Sequence, residues 1–245
     1  MTTNGYQNQK PKICVPVMGA AVSDILEQTK WAVQETCDVI EWRMDYFPSV
    51  TDERQVLSVA EQMKGMIGEK QFRATFRTKQ EGGERELDAA SYETLLRCVG
   101  SLKAVDWVDV EYAMLDKMSE KLVSDLKKCG KTVVLSSHDF QKTPSSKEML
   151  SKLEEMEKAG ASIGKLAVMP EKEEDVLALL DATLKAKRTL SIPVITMSMS
   201  DLGMISRICG ELSGSILTFG CTQKASAPGQ VPVDKLAMCL ELLHQ

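Results

Sequence analysis

Residues 132–168 read TVVLSSHDFQKTPSSKEMLSKLEEMEKAGASIGKLAV and contain one full repeat of the pattern that dominates the chain. An apolar, β-branched run at 132–136 is followed by an amphipathic stretch at 147–158 and a second apolar run at 162–168. In the middle stretch apolar residues recur every three or four positions, which is typical of a helix that buries one face. The stretch therefore predicts a strand, a helix and a second strand.

The same alternation extends along the rest of the chain. Further strand-like runs occupy 13–17, 38–42, 72–76, 107–110, 194–197 and 215–218. Further helix-like stretches occupy 52–66, 92–102, 114–128, 174–187, 200–212, 234–243 and a region near 23–34, where Ser23 and Asp24 are candidate caps. Eight units in 245 residues average roughly 31 residues each, the size of a βα unit. We therefore predict an α/β fold, a (β/α)8 TIM barrel of eight parallel strands, with residues 1–245 forming a single catalytic domain.

A doubly wound open sheet with a nucleotide site is the rival architecture. No G-x-G-x-x-G follows the first strand-like run, and no G-x-x-x-x-G-K-[ST] occurs anywhere in the chain. The absence of both phosphate-binding motifs favours the barrel.

Composition excludes several classes of protein. A net charge of −5 without a long basic run argues against binding to nucleic acid or to a membrane surface, and no apolar run reaches membrane-spanning length. Seven scattered cysteines and a polar N-terminal segment predict free thiols and a cytoplasmic location. With two histidines, neither near a cysteine pair, we expect no metal site.

Polar residues cluster at the predicted carboxyl ends of the strands, where a barrel builds its active site. Glu41, Arg43 and Asp45 share one face of the second strand. Arg73, Thr75 and Arg77 share one face of the third strand. Asp109 and Glu111 share one face of the fourth. Two interpretations stay open: a structural ion-pair network, or a site for a small, anionic, hydroxylated ligand.

Lys165 is the most informative residue, because it lies inside a strand of small apolar residues. If Leu166 and Val168 face the helices, Lys165 points into the barrel, where burial disfavours an ammonium group. The alternative is a side chain that reaches out to solvent. A buried lysine has a lowered pKa, and its neutral amine can attack a carbonyl to form an imine that makes the α proton removable.

His138 follows the fifth strand and is the available acid–base partner, since His244 is next to the C-terminus and is expected at the surface. The residues alone predict a class I lyase or aldolase that needs no cofactor. They do not separate loss of water from carbon–carbon cleavage.

Six ordered segments resemble the type I 3-dehydroquinate dehydratase family, over nearly the whole chain from Ile13. They are DVIEWRMD (38–45), RTKQEGG (77–83), SSHDF (136–140), GASIGKLA (160–167), TMSM with SR (196–199 and 206–207) and ASAPGQ (225–230). The family often begins with a short hairpin that plugs the barrel, whereas the segment before Ile13 is short and polar here.

The resemblance implies a shikimate-pathway hydro-lyase, a homodimer, that converts 3-dehydroquinate to 3-dehydroshikimate through a lysine Schiff base. Lys165 would form the imine, His138 would move protons and Glu81 would position or tune His138. The implied substrate contacts are Arg207 to the carboxylate, Glu41, Arg43 and Arg77 to ring hydroxyls or to the ordering of the site, and Ser226 and Gln230 as closing residues. A class I Schiff-base aldolase on the same barrel is the runner-up, and a non-catalytic barrel that only binds a small acid is a third reading.

Overall fold

The computed structural model describes residues 9–222 and 226–244. Its centre is a curled sheet of parallel strands in the order β7-β6-β5-β4-β3-β2-β1-β8-β9. The strands are β1 (Lys12–Val17), β2 (Val39–Arg43), β3 (Gln71–Thr75), β4 (Trp107–Glu111), β5 (Thr132–Asp139), β6 (Ile163–Val168), β7 (Val194–Ser198), β8 (Leu217–Cys221) and β9 (Val231–Pro232).

The curl brings the two ends of the eight-stranded run together. Val194 at the start of β7 forms a parallel bridge with Ser215, and the Ile216 amide donates to the Val194 carbonyl at 3.0 Å. The predicted TIM-barrel-like α/β fold is confirmed, with one correction to the strand count. The two-residue β9, which pairs with β8 and not with β7, is too short to give a strand pattern in the sequence.

The helices surround this sheet, as the βα rhythm predicts. They are α1 (Val22–Gln34), α2 (Glu53–Ile67), α3 (Ala89–Ser101), α4 (Leu122–Lys128), α5 (Ser146–Lys158), α6 (Glu173–Thr189), α7 (Ile205–Ile208), α8 (Gly210–Ser213) and α9 (Val233–Leu243). None of the described helices is both long and apolar enough to cross a membrane.

Three helix predictions need correction. The cap of α1 is Ala21, so Ser23 lies inside the first turn, and Asp24 accepts the Ala21 amide. The predicted helix at 114–128 is divided because Glu93 of α3 accepts the Ser119 amide, which a continuous helix would use internally. The predicted helix at 200–212 is replaced by a turn followed by α7 and α8.

The barrel interior is arranged in layers contributed by alternate strands. The layer at the amino ends of the strands is apolar. It consists of the first residues of β2, β4, β6 and β8, namely Val39, Trp107, Ile163 and Leu217. Two positions further along the same strands, on the same face, are Glu41, Asp109, Lys165 and Phe219. We call these four residues the lysine layer. The interior therefore changes from apolar to charged toward the carboxyl ends of the strands.

Candidate active site

Lys165 points into the barrel, as its strand alternation predicts, and only 5% of the residue is exposed. Its Nζ lies 4.8 Å from the centroid of the Phe219 ring. Burial, followed by the positive charges of Arg73 and Arg77, lowers the pKa of Lys165 from its usual 10.5 to about 7, although Asp109 and Glu41 act in the opposite direction. A large fraction of Lys165 is therefore the neutral, nucleophilic amine near neutral pH.

His138 lies on β5 one step nearer the carboxyl end, since Ser136 is the register partner of Lys165 and His138 is two positions beyond it. Its Nδ1 is 2.8 Å from Oε2 of Glu81. Burial, then the positive charges of Arg77 and Lys165, lowers the pKa of His138 well below 6.5. Because Nδ1 is held by Glu81, Nε2 is the nitrogen that can exchange a proton with a ligand.

Glu81 follows β3 in a single 3₁₀ turn (Lys79–Glu81), which leads into Gly82 at φ 83°. Burial raises the pKa of Glu81 to about 8, against the opposing effect of Arg77, whose Nη1 lies 3.1 Å from the same carboxylate. Near neutral pH Glu81 is therefore mostly protonated and His138 is neutral, so the pair carries little net charge. That state suits an imidazole that first accepts a proton and then returns it.

Arg77 is the centre of a buried network and has few donors left for a ligand. Nη1 donates to Glu111 at 2.9 Å and to the Ser136 hydroxyl at 3.1 Å, and Nη2 donates to Asp109 at 2.6 Å. Although burial alone would raise it, Arg77 and Arg73 hold the pKa of Asp109 well below its usual value. The structural-network interpretation therefore applies to these residues, and their geometry favours the ordering role for Arg77.

Glu41 and Arg43 reach the cavity from β2. Glu41 accepts the Thr75 hydroxyl at 2.8 Å. Arg43 forms a two-bond pair with Asp45, with both distances 2.8 Å. The prediction that Asp45 shares a face of β2 is wrong, because Asp45 follows that strand in a 3₁₀ turn (Met44–Tyr46). It is fully buried, does not line the cavity and holds Arg43.

Arg207 lines the cavity from α7 and has no carboxylate partner within the described residues. Its Nη2 donates to the Pro228 carbonyl at 2.9 Å, whereas Nε and Nη1 are buried with no hydrogen-bond partner in that part of the chain. Burial lowers the pKa of Arg207 to about 10, so the group stays charged at neutral pH. A buried, under-bonded guanidinium is a strong site for a bidentate anion such as a carboxylate.

The α7 turn that carries Arg207 is tied to β7. The Ser206 hydroxyl accepts the Ser198 amide at 2.9 Å and donates to the Gly203 carbonyl at 2.7 Å. A Cβ at Gly203 would lie 2.3 Å from the Ser198 carbonyl oxygen, so only glycine fits this close turn. The broken helix at 200–212 thus places Arg207 at the cavity.

Ser226 and Gln230 line the cavity and are joined to each other by two hydrogen bonds. The Ser226 amide donates to Gln230 Oε1 at 2.7 Å, and Gln230 Nε2 donates to the Ser226 hydroxyl at 2.8 Å. Gly229 between them has φ 73° and packs against the Ser200 backbone. Ala225, the first residue of the 225–230 motif, lies outside the described residues.

All nine predicted site residues line one cavity: Glu41, Arg43, Arg77, Glu81, His138, Lys165, Arg207, Ser226 and Gln230. The sequence interpretation missed its apolar wall, which includes Phe140, Ala167, Met197, Met199 and Phe219. Extending the strand predicted at 215–218 by one residue would have placed Phe219 on the same face as Leu217 and identified the aromatic wall. Across residues 9–222 and 226–244, no group of three or more His, Cys, Asp or Glu side chains is arranged to hold a metal ion.

Comparison with known proteins places this geometry in a family. Residues 13–245 match the model of type I 3-dehydroquinase. The chain is 41% identical over 237 residues to the 3-dehydroquinate dehydratase of Clostridioides difficile strain 630, covering 96% of this chain and 93% of that protein. It is also 41% identical over 236 residues to the 3-dehydroquinate dehydratase of Bacillus subtilis strain 168, covering 96% of this chain and 92% of that protein.

Solved structures agree with the sequence matches. A type I 3-dehydroquinate dehydratase from Clostridium difficile with covalent modified comenic acid gives a TM-score of 0.92 at 42% identity, covering 96% of this chain and 92% of that one. The 3-dehydroquinate dehydratase from Geobacillus kaustophilus gives 0.93 at 36% identity, covering 96% and 91%. The family expected from the six sequence segments is confirmed: the chain belongs to the type I 3-dehydroquinases.

Proposed function

We propose that this chain catalyses the reversible dehydration of 3-dehydroquinate to 3-dehydroshikimate, with Lys165 forming an imine to the substrate ketone. The observation that carries the assignment is a buried lysine whose pKa is lowered to about 7, in one cavity with a histidine and an unpaired arginine. The amine supplies the nucleophile, the histidine moves protons and the arginine binds the acid group.

The chemistry then follows from the positions of the groups. The neutral Nζ of Lys165 attacks the ketone, and water leaves with the uptake of one proton from solvent, which is released again when the imine is hydrolysed; the product is an iminium that withdraws electrons from the α carbon. Nε2 of His138 accepts the α proton, and the electron pair of the broken C–H bond forms an enamine. His138 returns that proton to the departing β hydroxyl, a carbon–carbon double bond forms, and water hydrolyses the imine to free Lys165.

The remaining residues hold the substrate. Arg207 binds the carboxylate, and Arg77 orders the acidic network beneath the ring. Glu41 accepts hydrogen bonds from ring hydroxyls, and Arg43 donates hydrogen bonds to them. Glu81 fixes the orientation of His138. Ser226 and Gln230 close over the bound ring.

Borohydride trapping tests the proposal directly. Reduction in the presence of 3-dehydroquinate will add the mass of one reduced ligand to the intact protein, and peptide mapping will place that mass on Lys165. The conjugated enone absorbance of the product will appear in parallel, which separates dehydration from aldol cleavage. A Lys165→Ala variant that still turns over 3-dehydroquinate, and that borohydride still links to the ligand, would contradict the assignment.

We also propose that the enzyme is a homodimer, because exposed apolar side chains gather on α8 and α9. Leu212 is 78% exposed and Leu242 is 84% exposed, and His244 joins the end of α9 to Glu211 of α8 at 2.9 Å. Sedimentation will show a dimer for the wild type and a monomer for Leu212→Asp/Leu242→Asp. Leu57→Asp, on α2, is the matched control and will stay dimeric. A wild type that sediments as a monomer contradicts this proposal.

We propose that the protein is cytoplasmic. All seven cysteines are free, which supports a reducing, cytoplasmic compartment. Cell fractionation tests the location. We propose that residues 1–245 form one domain, and a single cooperative unfolding transition is the result that this requires.

A further inference from the structure

Arg73 lies inside the barrel, directly below the lysine layer, and is fully buried. It is the middle residue of β3 and the register partner of Glu41. Its Nε lies 3.3 Å from Glu41, its Nη2 donates to Asp109, and its Cζ lies 5.6 Å from the Phe219 ring centroid. Arg73 therefore contacts all three residues that share a layer with Lys165.

The contacts of Arg73 determine which charges Lys165 faces. Glu41 on β2, Asp109 on β4 and Glu81 after β3 are the nearby carboxylates, and each has an arginine partner. Lys165 forms no ion pair within the described residues, and its charge-bearing atom lies over the Phe219 ring on β8. The other polar groups around it are Arg77 beyond β3 and Ser136 and His138 on β5. Each of these carboxylates is thus paired with an arginine, and none of them forms an ion pair with Lys165.

The two cations also lie close to each other. Both are over the Phe219 ring, so Arg73 Cζ and Lys165 Nζ are within about 10 Å whichever face each occupies. Because salt screens buried charges only weakly, a like charge at this distance disfavours protonation of the amine.

We propose that Arg73 is a positioning residue for the imine-forming lysine: it keeps Glu41 and Asp109 as its own partners and opposes Lys165 with a fixed positive charge, so that the amine stays neutral and reactive. This inference rests on the proposed role of Lys165. It assigns to Arg73 no contact with the substrate, because Arg73 does not line the cavity.

The energetics of Arg73 support a functional role over a purely structural one. Two of its guanidinium nitrogens, Nε and Nη1, have no hydrogen-bond partner in the described chain, although they are buried. Such a charge costs more to bury than an apolar side chain of similar volume would. Its position agrees with its effect, because after burial Arg73 is the largest contributor to the lowered pKa of Lys165.

The test compares Arg73→Gln with Arg73→Lys, which keeps the positive charge and serves as the matched control. The readouts are the pH profile of kcat/KM and the rate of borohydride trapping on Lys165. The acidic limb of the kcat/KM profile reports deprotonation of Lys165. Loss of a unit positive charge at this distance raises the pKa of Lys165, and so moves this limb upward, by about one pH unit. Arg73→Gln will therefore lose roughly 10-fold in both rates below pH 6.5 and recover toward the wild-type rate above pH 9. Arg73→Lys will keep the limb near the wild-type position.

Several outcomes would overturn the proposal. An equal loss at every pH in Arg73→Gln indicates a structural role, and a shift of the same size in Arg73→Lys indicates that charge is not the cause. If Arg73→Gln does not fold, Glu41→Gln tests the same arrangement with the opposite sign. Removing this carboxylate from the lysine layer moves the limb to lower pH, and a stationary or rising limb contradicts the proposal. Trapping of the wild type on Lys165 is measured first, so failure of the proposed function is distinguished from failure of this one.

Discussion

Lys165→Met will lower kcat by roughly 10⁵-fold or more, a loss of the size seen when an enzyme loses its covalent nucleophile. Methionine fills a similar volume among the apolar neighbours of Lys165, so the cavity keeps its shape while the amine is lost. Without an imine no electron sink exists, and His138 alone cannot remove an unactivated α proton. Steady-state measurement of the enone product gives kcat, and borohydride will add no mass.

The same substitution will make the protein more stable, which separates lost chemistry from lost structure. The pKa of Lys165 is about 7 in the folded state and near 10.5 when unfolded, so between these values the unfolded chain binds more protons. Folding stability therefore rises with pH across that window, and below it the lysine opposes folding most strongly. Methionine removes this penalty, and each kcal/mol regained raises Tm by about 2 to 4 °C at neutral pH.

Lys131→Met is the matched control, because Lys131 is also buried and burial also lowers its pKa. Its Nζ donates to the carbonyls of Leu102 and Val105 at 2.6 Å, away from the cavity. Lys131→Met will keep wild-type kcat, because Lys131 does not line the cavity. It will lose stability, because two carbonyls lose their hydrogen-bond donor, and both results are the reverse of those for Lys165→Met. Residual turnover near the wild-type rate in Lys165→Met would contradict the covalent mechanism.

The barrel could be predicted from the sequence because each βα unit carries its own local pattern. The elements that were missed depend on contacts between distant residues. The helix predicted at 114–128 is divided by Glu93 on a neighbouring helix, and β9 exists only because β8 lies beside it. Neither cause is visible in a window of a dozen residues.

The site divides in the same way. Lys165 and His138 stand out in the sequence because each is an unusual residue for its strand position. The partners that set their pKa values could not be assigned, since Arg73, Asp109 and Phe219 approach Lys165 from three other strands. Strand alternation shows that they face inward, but only the register of the sheet brings them into adjoining layers.

His138→Gln will lower kcat by about 10³- to 10⁴-fold, the range expected for loss of a general acid–base. Glutamine can still hydrogen bond to Glu81, so the 3₁₀ turn after β3 keeps its anchor. It cannot accept the α proton or return it to the leaving hydroxyl. Because Lys165 is intact, this variant will still be trapped by borohydride, with slower imine formation and hydrolysis.

The combination of lost turnover and retained trapping separates the role of His138 from that of Lys165, whose replacement abolishes both. His244→Gln is the control, since His244 is the other histidine of the chain and pairs with Glu211 at the surface, and it will keep wild-type rates. If His138→Gln instead keeps more than about a tenth of wild-type kcat, water or Glu81 must move the α proton, because acid–base loss cannot be that small. Glu81→Gln in the His138→Gln background decides between them: a further large loss assigns the base to Glu81, and an unchanged rate assigns it to water.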